Sequence, residues 1–351
     1  MYRLLFLLTA FLPGSGIGQI VSTGNFNSED TWKKTRLIPV LPAQPFTASD
    51  TAIIVVSNRK QTDDTLRFMS EHREASALHY YFVFAHKGNW YVLPVKNLES
   101  AVQLMPSKER NWVAYTEGMG KLFTTDIFRG MLLSAEYGVN VIMFDYPSIT
   151  TTKSALGNYF FAIGNARQTY RYFGDVFAHL KKLKQEGNLG SGKLSLFNHS
   201  MGNHLMRGIA RHQQLIAIND TEWVDNLVLN APCVQRRGHK KWIDKINFAK
   251  NIYVNYNKDD VTLGGAYLVS KKLQLGHRPN KCCSKKAIYV NFNALCGQNH
   301  SNFLTVAGLQ VARPNAVKYY NIVLHGNKPN LTDTQMFRTS TYHSIGWELL
   351  P

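Results

Sequence analysis

Cysteine is scarce in this sequence. Its 351 residues include four, at positions 233, 282, 283 and 296. A scaffold built on disulfides needs a higher density, and this spacing fits no zinc pattern. Acid is short as well. Twenty-three Asp and Glu stand against 40 Lys and Arg, a net charge of +17. Charged residues together make up only 18%, which argues against long disordered charged tails. Internal repeats and low-complexity segments are missing. So is any stretch long and charge-free enough to span a bilayer; the apolar run from Leu4 to Leu12 falls far below the roughly 20 residues a spanning helix needs.

The start of the chain instead reads as a secretory signal. Arg3 precedes the apolar run, and Gly14, Ser15, Gly16 and Gly18 follow it, with a cut expected after Gly18. The other reading of this run is a buried N-terminal strand. An exported protein, periplasmic or secreted, is the expectation. No Cys follows the run for lipid attachment. Under oxidising conditions a bridge from Cys282 or Cys283 to Cys296 is sterically easier than one between the adjacent pair. The positive charge is uneven: residues 236–286 hold 13 Lys and Arg against three Asp. Such a patch attracts anionic partners, although a merely solvated surface has the same composition. It carries no nucleic-acid reading motif, so no nucleic-acid partner is expected.

Apolar residues make up 44%, enough for a sizeable core. Three segments are expected: the signal at 1–18, an extension with edge strands at 19–110, and a core domain at 111–351. Residues 19–50 are polar, with Pro39, Pro42 and Pro45, and should wrap the surface. Strand-like runs follow at Thr51–Ser57, His79–Ala85 and Trp90–Val95, with Lys87-Gly88-Asn89 as a hairpin turn. From Asn111 onward, runs alternate with helix-length segments. The runs are Trp112–Thr116, Val139–Phe144, Leu194–Asn198, Leu227–Asn230, Ile252–Tyr256 and Ile288–Phe292. The longest helix is expected over Ala162–Lys184, from the spacing of Tyr170, Phe173, Phe177 and Leu180. This alternation predicts an α/β fold with a mostly parallel sheet, helices on both faces and an antiparallel N-terminal edge. Chemistry then belongs at the carboxyl ends of the strands.

At one such end lies Asn198-His199-Ser200-Met201-Gly202-Asn203. A serine between a strand and a helix, with a small residue two positions on, can project its hydroxyl above the sheet. A helix-capping serine is the plainer reading. Asn198 stands where the G-x-S-x-G pattern has glycine, so the turn should be adjusted there. The stretch resembles the α/β-hydrolase superfamily, and most closely bacterial hydrolases with a His-Ser-Met-Gly-Asn elbow. The likeness covers roughly residues 111–304. It implies a nucleophile at Ser200 and oxyanion donors at the backbone N–H groups of Met119 and Met201. In that group the preceding strand ends in His-Gly; here it is Glu117-Gly118. A Trp-Pro-Ser-like turn corresponds to Asp145-Tyr146-Pro147-Ser148.

A serine nucleophile needs a base, and the base needs an orienting acid, in the chain order Ser, acid, His. The resemblance selects Asp260 over Asp259 and His300 as the base; His277, His325 and His343 are the rivals. His199 is expected to pack or hydrogen-bond near the sheet end. Together these residues predict a Ser-His-Asp esterase or lipase-like hydrolase that needs no cofactor or metal. A non-catalytic binding member of the fold stays open because of Asn198 and Glu117. So does a peptidase or acyltransferase using the same triad. Five lysines (271, 272, 281, 285 and 286) could form a basic rim suited to an anionic acyl substrate or to contact with an anionic surface.

Overall fold

The computed structural model describes residues 26–41, 51–306 and 313–351. The expected signal segment, and Pro42 and Pro45, lie outside the described residues. The strands are β1 (Thr35–Leu37), β2 (Ala52–Ser57), β3 (Arg59–Gln61), β4 (Met69–Arg73), β5 (His79–His86), β6 (Asn89–Val95), β7 (Trp112–Thr116), β8 (Asn140–Asp145), β9 (Leu194–His199), β10 (Val224–Asn230), β11 (Ala249–Tyr256), β12 (Ala287–Asn291), β13 (Phe337–Thr339) and β14 (Trp347–Leu349). Twelve form one sheet in the order β1-β6-β5-β2-β8-β7-β9-β10-β11-β12-β14-β13, while β3 and β4 pair separately.

From β2 through β14 every neighbour in that sheet is parallel. The central strands β7, β8, β9 and β10 are buried along their whole length, which is why their sequences are apolar runs rather than alternations. Successive side chains feed opposite cores. Leu194 and Leu196 of β9 join one apolar cluster, and Phe197 joins the other. Each face is covered by helices, so the sheet is the middle layer of three.

The antiparallel edge is present. β5 pairs antiparallel with β6 and with β2, and the hairpin turn holds Lys87 and Gly88 at φ 46° and 73°. Two positive φ values in a two-residue loop match the right-handed twist of the flanking strands. Beyond the hairpin the polar stretch does more than wrap the surface. A short helix, Glu29–Lys34, buries Trp32 edge-on against Phe68, and β1 then adds to the sheet parallel to β6.

The single helix expected over Ala162–Lys184 is two. One spans Ala155–Ala166 and the next Thr169–Gln185. Gly164 and Asn165 weaken the end of the first. The Asn165 side chain also leaves the helix to donate to the Pro147 carbonyl. The periodic residues Tyr170, Phe173, Phe177 and Leu180 are all buried, so the spacing was a true helical signal on the second segment.

Candidate active site

The register brings the strand ends level. Thr116 pairs with Asn198, Asn230 with His199 and Asn255, and Tyr256 with Asn291. The loops after β7, β9, β10, β11 and β12 therefore leave the sheet at one height, side by side. Glu117-Gly118, Ser200, Cys233, Asp260 and His300 all follow those ends.

Ser200 is the first residue of a 3-10 turn that leads into the helix Asn203–Ile209, and its φ is +51°. A non-glycine residue there costs roughly 1–2 kcal/mol and signals a constrained position. The turn sits tightly against the loop after β7. A Cβ on Gly118 would lie 2.7 Å from the Ser200 Cβ, and one on Gly202 would lie 2.5 Å from the Thr116 carbonyl oxygen. Both glycines are required by close approach. Asn203 clamps the turn, donating from its side-chain nitrogen to the carbonyls of Asn198 and Ser200 at 2.9 and 3.0 Å. Asn198 does not distort it. β9 stays regular through His199 with Asn198 inside, because the backbone turns only at Ser200. The Asn198 side chain is buried, and its Nδ2 has no partner among the described residues.

His300 Nδ1 lies 2.6 Å from Asp260 Oδ2, across 40 residues of sequence. Asp260 is buried, and its other oxygen accepts from the Leu263 N–H, capping the helix Val261–Ser270. Asp259 faces Lys258 at 3.3 Å at the surface. Asp260 is thus the aspartate that meets His300. Of the rival histidines, His325 bonds Asn111 and the Tyr137 carbonyl, and His343 sits in a turn against Tyr342. His277 is buried near Gly264, with Nδ1 unpaired. The Ser200 hydroxyl and His300 form no hydrogen bond in this structure. Such bonds are often loose without substrate.

The link between the two loops is His199. Its ring centroid is 4.8 Å from that of His300, and its Nε2 lies 3.1 Å from Ser301 Oγ. The tautomer follows from the neighbours. Asn230 Oδ1 accepts from Tyr320 and Asn255, so Asn230 Nδ2 donates to His199 Nδ1. The ring proton is then on Nε2 and points to Ser301. Burial holds the His199 imidazole well below its usual range, against the pull of Glu117. It is neutral and orients the His300 loop.

Glu117 is the other departure from the resembling pattern, and it is structural. Its carboxylate accepts from Tyr115 at 2.6 Å, from Arg129 at 2.8 Å and from the Gly118 N–H at 2.7 Å. Burial alone would raise this carboxyl, but Arg129, then Lys121 and His199, outweigh it and hold it well below the usual carboxylate range. The loop is pinned further by the Asp145–Ser148 turn. Ser148 accepts from the N–H groups of Gly120 and Lys121, and Arg59 spans from Asp145 to the Lys121 carbonyl. Burial, then repulsion by Asp145, pushes Asp126 nearby well above the carboxylate range. With Gly118 engaged by Glu117, the next N–H is that of Met119, which has no hydrogen-bond partner among the described residues. Met201 lies in the first turn after Ser200, where N–H groups lack intrahelical partners.

A family described as alpha/beta hydrolase of unknown function (DUF900) matches residues 96–291. The chain belongs to this family. The match takes in Glu117, Ser200 and Asp260; His300 lies beyond its end. No curated protein matches the sequence. In this hydrolase, sequence reasoning missed Asn230, which ends β10, and Asn255, next to the end of β11, with Tyr320 and Tyr319, whose hydroxyls donate to them. An Asn at or next to the close of each run was the available signal. It also missed Arg129, which becomes visible only once Glu117 is known to be buried. The four cysteines are free thiols, with Cys233 and Cys296 buried, and the suggested bridge to Cys296 is not formed. Among the described residues no group of three or more His, Cys, Asp or Glu could hold a metal ion, and no helix is long and apolar enough to cross a membrane.

Proposed function

We propose that this hydrolase cleaves acyl esters through Ser200, His300 and Asp260. The observation that carries the reading is the Asp260–His300 hydrogen bond, formed at the sheet end that also holds a serine at positive φ. In the proposed reaction, Ser200 Oγ attacks the acyl carbonyl and its proton passes to His300 Nε2. Asp260 keeps the His300 Nδ1 proton in place and stabilises the imidazolium. The Met119 and Met201 N–H groups meet the oxyanion. Collapse of the tetrahedral intermediate releases the alcohol, which takes the proton from His300, and leaves an acyl-serine. A water molecule, deprotonated by His300, then hydrolyses it.

An apolar portion of the substrate suits the surroundings. The helix that begins after Asp260 exposes Val261, Tyr267 and Leu268, and the helix Ala155–Ala166 exposes Leu156 and Phe160. Export remains part of the proposal, resting on Arg3 and the apolar run that follows it.

A fluorophosphonate probe tests the core of the reading. The purified chain is expected to be labelled on Ser200, with label and ester turnover both lost in Ser200→Ala. Full turnover in that variant would refute it. Mass spectrometry of the cellular fractions tests export: an uncleaved chain confined to the cytoplasm would count against it.

A further inference from the structure

Beside the nucleophile turn lies a cavity of about 310 Å³. Its lining includes Arg167, Arg207, Arg211 and Lys272, with His204 and Cys233, and contains no Asp or Glu. None of the four cations forms an ion pair among the described residues. The cavity adjoins the catalytic elements through two contacts. The Cys233 N–H donates to the Ser200 carbonyl at 3.0 Å, and His204 follows Ser200 by one helical turn. His204 is only 4% exposed, and its Nε2 has no hydrogen-bond partner among the described residues.

Three guanidiniums gathered without a carboxylate repel one another. Burial, then Arg211 and Arg167, accordingly lowers the pKa of the Arg207 side chain. Arg207 is half-buried, while Arg167, Arg211 and Lys272 reach solvent at the mouth of the cavity; an anion seated there would neutralise the cluster, and guanidinium forks match carboxylate and phosphate oxygens. The buried His204 beside them hydrogen-bonds the Cys233 backbone, while its Nε2 is left unsatisfied among the described residues. The rim of five lysines expected from the sequence is not what builds this site. Only Lys272 lines it, and Lys286 turns away to the Ile246 carbonyl. The arginines come from the helix Asn203–Ile209 (Arg207), the turn after it (Arg211) and the C-terminal end of the helix Ala155–Ala166 (Arg167), outside the basic stretch at 236–286.

We infer that this cavity holds an anionic group, phosphate or carboxylate, carried by the molecule that Ser200 attacks. The inference rests on the ester-hydrolase reading and names its substrate class. Calorimetric titration of the full chain with inorganic phosphate, and separately with succinate, probes the cavity without turnover. One saturable site is expected for at least one probe, weakened tenfold or more in Arg167→Gln and in Arg207→Gln, as loss of a charged hydrogen bond implies. Tighter phosphate binding points to a phosphorylated substrate, and tighter succinate binding to a carboxylated one. Nitrophenyl butyrate and the nitrophenyl half-ester of succinate then test the role. The kcat/KM ratio of the anionic to the neutral ester should fall at least tenfold in both variants, and the bound probe should compete with the anionic ester. Ester turnover without a site for either anion, or with that ratio unchanged in both variants, overturns this inference alone. Anion binding without turnover of any ester overturns the hydrolase reading and, with it, the assignment of the cavity to its substrate.

Discussion

The Glu117 carboxylate lies 2.8 Å from the Arg129 guanidinium, with both side chains buried. The pair ties the loop after β7 to the helix behind it, and the same carboxylate holds the Gly118 N–H. Removing one partner of a buried pair leaves an uncompensated charge, which costs about 3–5 kcal/mol. Glu117→Gln is therefore expected to lower the thermal midpoint sharply. The pH dependence has a definite sign. A carboxyl whose folded pKa is depressed contributes stability above its unfolded value and loses it as pH falls. Wild-type stability should thus decline as pH drops below about 4.5, and the decline should be shallower in the variant. Thermal melts from pH 7 to pH 3 give both results. Equal slopes would remove Glu117 from the account.

Asp260 and Asp259 are neighbours in sequence and opposites in setting. One is buried on His300, and the other faces solvent beside Lys258. Asp260→Asn should keep the fold and lower kcat by about 10³–10⁴, the loss expected when the tautomer of the base is no longer held. Asp259→Asn should leave kcat within about twofold. Steady-state kinetics on an activated ester distinguishes the two. Similar losses in both would mean that the acid is misassigned.

The contact between Gly118 and Ser200 leaves no room for a methyl group. Gly118→Ala is expected to shift the oxyanion loop and to cut the rate of fluorophosphonate labelling tenfold or more. Asn198→Gly is the contrasting change. It restores the commoner elbow pattern at a position whose backbone is already regular strand. Labelling should persist, at a stability cost of about 0.5–1 kcal/mol from glycine in a strand. Faster labelling in Asn198→Gly than in the parent would show that Asn198 hinders the nucleophile.

The thiols differ by environment. Burial, then the charge of Asp260, pushes Cys233 up to about 12, while Cys282 is exposed. Alkylation of the native chain at pH 8 should modify Cys282 quickly and spare Cys233 until denaturant is added. Peptide mapping of the modified protein reads this directly. Rapid native alkylation of Cys233 would show that the cavity floor opens.

Much of this architecture was legible in the residue pattern because the central strands are buried on both faces. Trp112–Thr116 is the observed β7 residue for residue, and the hairpin at Lys87-Gly88 was readable from its turn chemistry. That Ser200, Asp260 and His300 follow the ends of parallel strands was readable too, since each comes after a strand-like run. What escaped was whatever depends on distant partners. β14 has three residues and is held by its pairing with β12 and β13, so no local periodicity marks it. Glu117 looked like a defect because a charge in an apolar setting makes sense only with Arg129 beside it. Of the cavity arginines, Arg207 lies on the helix after Ser200, and Arg167 and Arg211 lie just past helix ends, so only the packing of those helices gathers them.

Ser200 at φ +51° is a residue held against its own backbone preference. Glycine would sit there without penalty, and among the described residues the hydroxyl forms no hydrogen bond that glycine would forfeit. Ser200→Gly is expected to melt above Ser200→Ala, because only glycine relieves the roughly 1–2 kcal/mol of left-handed backbone cost. Stability and reactivity thus pull position 200 toward different residues, a trade-off of the kind that keeps natural enzymes below their stability optimum. Variants selected for thermal tolerance alone would drift toward glycine there and lose the proposed nucleophile.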